Sequence, residues 1–168
     1  LITAGCPMNV HAIDQTAQYG RVECLKLLID VACPMDATVI RNVAFHGYAK
    51  EHVECLKLLL EAKCPMDIGA INSAASMGRD ECLKLLIAAG CPMDADAIIA
   101  ASRHVECLRL LIEAKCPMKE SGTYWPASNG HVECLRLLID AKRPIHRDAL
   151  REAQTNGHHA CVKLLRSV

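Results

Sequence analysis

From Val22 to Ala32, apolar residues occupy positions 22, 24, 25, 27, 28, 29, 31 and 32, with Glu23, Lys26 and Asp30 between them. Charges three and four apart share one face of a helix. The pattern therefore predicts a leucine-rich helix nearly wrapped by neighbours, with Leu25, Leu28 and Ile29 as its i, i+3, i+4 stripe. Helix formers are abundant and β-branched residues few, so local propensity agrees. The Cys33-Pro34 pair should stop the helix, because proline pushes the residue before it out of the α region and has no N–H to donate. Asp36 follows, and like Asn9, Asp67 and Asp94 it can accept the free N–H groups at a helix start. A second, shorter helix is predicted there, clearest in D-A-T-V-I-R-N-V-A-F-H-G (Asp36 to Gly47) and D-I-G-A-I-N-S-A-A-S-M-G (Asp67 to Gly78). Gly20, Gly47, Gly78, Gly130 and Gly157 are expected to close these short helices with positive φ.

The leucine-rich stretch recurs, and its first cysteines, Cys24, Cys55, Cys82, Cys107, Cys134 and Cys161, are spaced 31, 27, 25, 27 and 27 residues apart. A period in that range marks a stacked array of repeats. The units run over 9–35, 36–66, 67–93, 94–118 and 119–145, with a C-terminal cap repeat at 146–168. Residues 1–8 match Leu28 to Met35 and read as a partial repeat, so the chain is expected to belong to a longer array or a complex. Repeat two carries four extra residues around Tyr48-Ala49-Lys50-Glu51, a loop of the kind that often serves binding. Repeat three is the most regular, and Leu85 in its double leucine is expected to be buried. Repeat four is two residues short and lacks the turn glycine, which predicts a truncated first helix or a tight turn at Ser102-Arg103. In repeat five Pro126 argues against a full regular first helix. In repeat six Arg166 replaces an apolar residue, as a wettable terminal cap requires.

The segment G-H-V-E-C-L-R-L-L-I-D-A (Gly130 to Ala141), preceded by a small-residue helix, resembles the ankyrin repeat. The T-P-L-H motif of that family is absent and the period is mostly 27 rather than 33. Aligned on glycine and leucine anchors, the missing residues fall where the family carries its β-hairpin finger. The resemblance implies an all-α, ankyrin-like solenoid of stacked helix-turn-helix repeats with little or no hairpin, forming a single domain over 1–168. It also implies a protein–protein interaction module with a concave face lined by first helices. His104, His131 and His158, with Arg21 and Arg79 in the same position, would then stabilise the turn and hydrogen-bond between repeats.

Composition narrows the function classes. The 168 residues carry 19 basic and 19 acidic side chains, so no basic excess points to nucleic acid. No uncharged apolar run approaches the ~20 residues of a membrane helix. Eleven cysteines track the repeat, one set in the second helix and the other (Cys6, Cys33, Cys64, Cys91, Cys116) in the loop after it, and repeat five substitutes Arg143. An odd total in repeat register fits small buried core residues rather than a disulfide framework. The C-x8-C spacing lacks the close ligand pairs of zinc sites. No metal or cofactor is expected, and the thiols place the protein in an intracellular, reducing compartment, cytoplasm or nucleus; an organelle stays open because no initiator methionine is present. Glu23, Glu54, Glu106 and Glu133 precede a base by three residues and read as intrahelical ion pairs. No nucleophile, base and oxyanion loop come together, so no enzyme is expected.

The surface that varies between copies is then the candidate site. The concave first-helix positions are Gln15, Gln18 and Tyr19 in repeat one, Asn42, Phe45 and His46 with Tyr48 of the inserted loop in repeat two, Met77 in repeat three, and Tyr124, Trp125 and Asn129 in repeat five. All five Phe, Tyr and Trp residues fall in first helices or their loops, and Tyr and Trp are enriched in interface hot spots. The expected partner is a peptide or folded protein; the alternative is a structural or linker subunit built permanently into a large assembly.

Overall fold

The computed structural model describes residues 9–168. The partial repeat at 1–8, with Cys6, lies outside them. Among the described residues there is no strand, and the helices alternate in type. First helices are α1 (Val10–Gln18), α3 (Ala37–His46), α5 (Ile68–Ser76), α7 (Asp96–Ala100), α9 (Tyr124–Ser128) and α11 (Ala149–Thr155). Second helices are α2 (Val22–Asp30), α4 (Lys50–Glu61), α6 (Asp80–Ala88), α8 (Val105–Glu113), α10 (Val132–Asp140) and α12 (His159–Leu165). The fold is all-α, built from hairpin-less helix pairs.

The chain divides into two compact units. One comprises the described residues up to Ala74 with Glu81–Pro92, the other Ala75–Asp80 with Met93–Val168. In the first, α3 packs on α1 and α4 on α2, so like helices of successive repeats stack. In the second, α11 packs on α9 and α12 on α10, around a core of Ala127, Leu135, Ala149, Ala153, Cys161 and Leu165. Small residues let the first helices approach closely: Ala17, Ala44, Ala74, Ala75, Ala149 and Ala153 are all fully buried.

Capping follows the prediction at Asn9, whose side chain accepts the Ala12 N–H at 3.1 Å, at Asp36, which accepts that of Thr38 at 2.9 Å, and at Asp94, which accepts that of Asp96 at 3.1 Å. Asp67 departs from it, because one carboxylate oxygen takes the Arg41 guanidinium from α3 instead. In repeat four α7 is five residues long, and a tight turn follows at Ala101–Arg103 as the missing glycine requires. In repeat five a 3-10 turn at Glu120–Gly122 precedes α9, and Pro126 sits in the first turn, where its absent N–H had no helical partner to lose.

The second helices do not end merely because proline follows. Ala32, Lys63, Gly90, Lys115 and Lys142 all adopt left-handed φ between +53° and +76°. The next N–H reaches back five residues, as in Cys33 to the Leu28 carbonyl and Cys64 to that of Leu59, both at 2.9 Å. This is a Schellman closure. The turn glycines behave alike: Gly20, Gly78, Gly130 and Gly157 have φ of +64°, +66°, +75° and +72°. Gly47 overturns its expectation, with φ of −63°. The extra residues of repeat two start α4 at Lys50, five positions before Cys55, so the chain leaves α3 by another turn. Glycine is needed there for closeness, since a Cβ would collide with the Cys82 sulfur.

Burial on the second helices is also more selective than expected. In repeat three Cys82, Leu83 and Leu86 are fully buried while Leu85 is only half-buried. Glu23, Glu106 and Glu133 pair with Lys26, Arg109 and Arg136 across one turn at 2.9, 3.5 and 3.8 Å, and Glu81 pairs with Lys84 at 2.8 Å. Arg166 is exposed beyond α12, fitting a cap.

The cysteines separate by environment. Cys55, Cys82, Cys107, Cys134 and Cys161 are buried; Cys82 Sγ lies 3.9 Å from the Gly47 carbonyl and Cys161 Sγ 4.0 Å from that of Pro126, each at the first helix of the preceding repeat. Cys24 overturns the expectation of burial and is exposed, because no helix pair precedes α1 among the described residues to cover it. The loop thiols are hydrogen-bond donors rather than plain small hydrophobes. Those of Cys33, Cys64, Cys91 and Cys116 reach the carbonyls of Asn9, Asp36, Asp67 and Asp94 at 3.2–3.4 Å, tying the end of each repeat to its own start. Burial, reinforced by the nearby carboxylates of Asp36, Asp67 and Asp94, pushes the thiols of Cys64, Cys91 and Cys116 up to about 11, so they keep the proton they donate. In repeat five, where Arg143 replaces the cysteine, the fully buried Thr123 hydroxyl takes over; it accepts the His146 N–H at 2.8 Å and lies 3.2 Å from the Pro144 carbonyl. Cys6 aside, Cys24 is therefore expected to be the one thiol that a maleimide labels rapidly in the native protein at pH 8. Rapid native labelling of Cys64, Cys91 or Cys116 would contradict this assignment.

Candidate functional site

First helices and the turns after them present the candidate residues, because their small-residue faces are committed to stacking and the opposite positions project away. In the first unit Tyr19, Phe45 and Tyr48 are 64%, 42% and 70% exposed. Around them the polar side chains are tied together. Gln15 Nε2 donates to Gln18 Oε1 at 3.3 Å, and Gln18 Nε2 lies 2.9 Å from His46 Nε2. The His46 ring meets that of Phe45 edge-on, centroids 5.1 Å apart. Asn42 Nδ2 donates to the Asp14 carboxylate at 2.9 Å.

Tyr48, in the inserted loop, lays its ring against His52, centroids 4.8 Å apart. His52 is buried, and its Nε2 meets the Gln18 carbonyl at 3.0 Å. Gln18 thus serves two histidines, its carbonyl held by one and its amide facing the other. The chain Gln15, Gln18, His46, Phe45 joins the chain Gln18, His52, Tyr48 into one connected patch.

In the second unit Trp125 is 45% exposed and meets Tyr124 edge-on at 5.6 Å. It does not fill the gap left by the irregular first helix of repeat five; Thr123, Pro126 and Ala127 do. Asn129 is exposed, with its Nδ2 donating to the Trp125 carbonyl at 2.9 Å. Met77 is half-buried. Seven of the eleven candidates lie in the first unit, where Gln15, Gln18, Phe45, His46 and Tyr48 are connected; Tyr124, Trp125 and Asn129 meet one another in the second unit, to which Met77 also belongs.

Sequence reasoning missed the residues that hold these in place. Asp14 anchors Asn42, and His146 packs edge-on against Tyr124 at 5.3 Å. His52 was legible, since it precedes V-E-C-L as His104 and His131 do, and His158 holds the same place before H-A-C-V. His52, His104 and His158 make the same bond, each Nε2 at 3.0 Å from a backbone carbonyl, those of Gln18, Ser76 and Ser128. Each carbonyl lies two residues before a positive-φ glycine, Gly20, Gly78 or Gly130, and the ring covers that glycine. Burial lowers the pKa of His104 against the opposing pull of the Ser76 carbonyl, which keeps the ring neutral as a donor. His131, facing the glycine-less turn of repeat four, makes no such bond to the preceding repeat among the described residues.

Among the described residues no group of three or more His, Cys, Asp or Glu side chains is placed to hold a metal ion, and no helix is long and apolar enough to cross a membrane. The geometry defines a helix-turn-helix repeat protein with exposed aromatic clusters at its first helices. Residues 71–148 match the sequence model of the family described as "Ankyrin repeats (3 copies)". EF0377, whose crystal structure is described as that of an ankyrin repeat protein, is similar in fold, with a TM-score of 0.73 and 17% identity over 94% of this chain and 97% of that one. Comparison with curated proteins finds no match. Residues 71–148 thus resemble ankyrin repeats in sequence, and the described helix pairs on either side of them share the same helix-turn-helix form. Such repeats are generally protein–protein interaction modules, typically scaffolds without chemistry of their own.

Proposed function

We propose that the first-helix face of the first unit, centred on Tyr19, Phe45 and Tyr48, docks a protein partner. The supporting observation is that three of the chain's five Phe, Tyr and Trp residues lie exposed in one patch whose polar members are already fixed by hydrogen bonds. Rigid aromatic anchors lose little conformational entropy on binding, and hot spots cost ~2 kcal/mol or more each when truncated. Trp125 and Tyr124 form a second anchor of the same kind in the second unit. The thiol donors of the loops suit a reducing compartment, since a thiol that has lost its proton to oxidation cannot make the bond.

Replacing Tyr19, Phe45 and Tyr48 together by alanine is expected to abolish capture of the partner from source lysate, read by quantitative mass spectrometry against the wild-type chain. Exposed rings contribute little to folding, so the melting temperature should move by only a few degrees. Undiminished capture by the triple variant would sink the proposal. The alternative reading is permanent incorporation into a larger assembly. A chain that is monomeric and soluble by itself would count against it.

A further inference from the structure

We propose that Gln15, Gln18 and His46 form a proton-controlled amide relay that reverses the hydrogen-bond polarity of the first unit's docking face; as regulation of docking, this rests on the reading of that face given above. The contact between Gln18 Nε2 and His46 Nε2 is nitrogen to nitrogen at 2.9 Å. An amide nitrogen has no acceptor lone pair, so His46 Nε2 must be the acceptor, in a neutral ring whose proton sits on Nδ1. The Gln18 amide is oriented to give that donor, because its Oε1 receives the Gln15 Nε2–H at 3.3 Å.

His52, His104 and His158 face the opposite demand. A backbone carbonyl has no proton to give, so their Nε2 atoms must carry one. His46 is thus a different tautomer from these three, and acidification breaks its contact while leaving theirs intact. An imidazolium donates from both nitrogens, which sets His46 Nε2–H against the Gln18 NH2. The repair is local. Gln18 turns its amide over to offer Oε1 to His46, its NH2 then meets the Gln15 NH2, and Gln15 turns over in response. The uncommitted atom at Gln15 changes from the acceptor Oε1 to the donor Nε2. The Gln18 main chain stays held by His52, so the aromatic anchors keep their places.

The charged and titratable groups on the packed elements do not substitute for this. On α1 they are His11 and Asp14, the latter engaged by Asn42. On α3 the other is Arg41, engaged by Asp67. On the first turn of α4 they are Lys50, Glu51 and His52, with Tyr48 just before, and α5 carries no titratable side chain.

The test is long-range 1H–15N correlation spectroscopy of the imidazoles, with side-chain amide spectra, across the imidazole titration range of about pH 5 to 8. At pH 8 His46 is expected to show an unprotonated Nε2, with His52, His104 and His158 showing the reverse. The NH2 resonances of both Gln15 and Gln18 should shift with the midpoint of His46, and in Gln18→Ala the Gln15 amide should stop following it. A protonated Nε2 on His46 at pH 8, or a Gln15 amide indifferent to the His46 titration, would overturn the relay. These readouts need no partner, so the docking proposal stands or falls separately on the aromatic triple variant.

Discussion

Leu86→Asp is expected to unfold the first unit, while Leu85→Asp, one residue away, leaves it folded. Leu86 is fully buried in α6 and Leu85 is half-exposed on the same helix. Removing a buried leucine forfeits ~1.5–3 kcal/mol. Placing a carboxyl among Cys82, Leu83 and their neighbours without a partner adds several kcal/mol more, on the order of the whole ~5–15 kcal/mol that holds a domain together. In a stacked array the loss spreads, because each repeat is stabilised chiefly by its neighbours. Leu85→Asp keeps its charge in contact with water and should cost about 1–2 kcal/mol, the ordinary size of a surface-proximal change. Urea titrations of both variants decide it. Equal midpoints would mean that the buried side of α6 has been misassigned.

The second large effect is expected at Gly130, where alanine should destabilise clearly more than at Gly157. Both glycines are left-handed, at +75° and +72°, so each alanine pays the same conformational penalty of about 1–2 kcal/mol. They differ in what a Cβ meets. At Gly157 nothing lies within 4 Å, whereas at Gly130 the Cβ would sit 2.6 Å from His158 Nδ1. The imidazole must move and give up its bond to the Ser128 carbonyl, worth ~1 kcal/mol more. The excess should vanish in a His158→Ala background, where a double-mutant cycle isolates the coupling. If Gly130→Ala and Gly157→Ala cost the same, the ring over the glycine does not lock the turn.

These two cases also mark how far the chain could be read before its fold was known. The helix pairs, the shortened first helix of repeat four and the interrupted one of repeat five followed from apolar spacing, glycine and Pro126. The candidate face was legible residue by residue, because its aromatics stood out against copies that otherwise agree. Its connections were not. Asp14, His52 and His146 carry no local signature of the neighbour they hold, although the V-E-C-L register would have revealed His52. Trp125 could have been core or surface on sequence grounds, and only its exposure, with Thr123, Pro126 and Ala127 buried instead, decided the matter.

By itself the sequence determined everything periodic: helix type, helix register, the turn positions and the repeat length, all set by interactions within a few residues that recur from copy to copy. Tertiary structure alone decided which leucine of a pair is buried, why Gly47 must be glycine without being left-handed, and which carbonyl each loop thiol meets. The reason is distance along the chain. The deciding partners lie 22 to 35 residues away, and identical local sequences such as the cysteine of α2 and that of α6 end up exposed or buried according to whether a neighbouring repeat arrives to cover them.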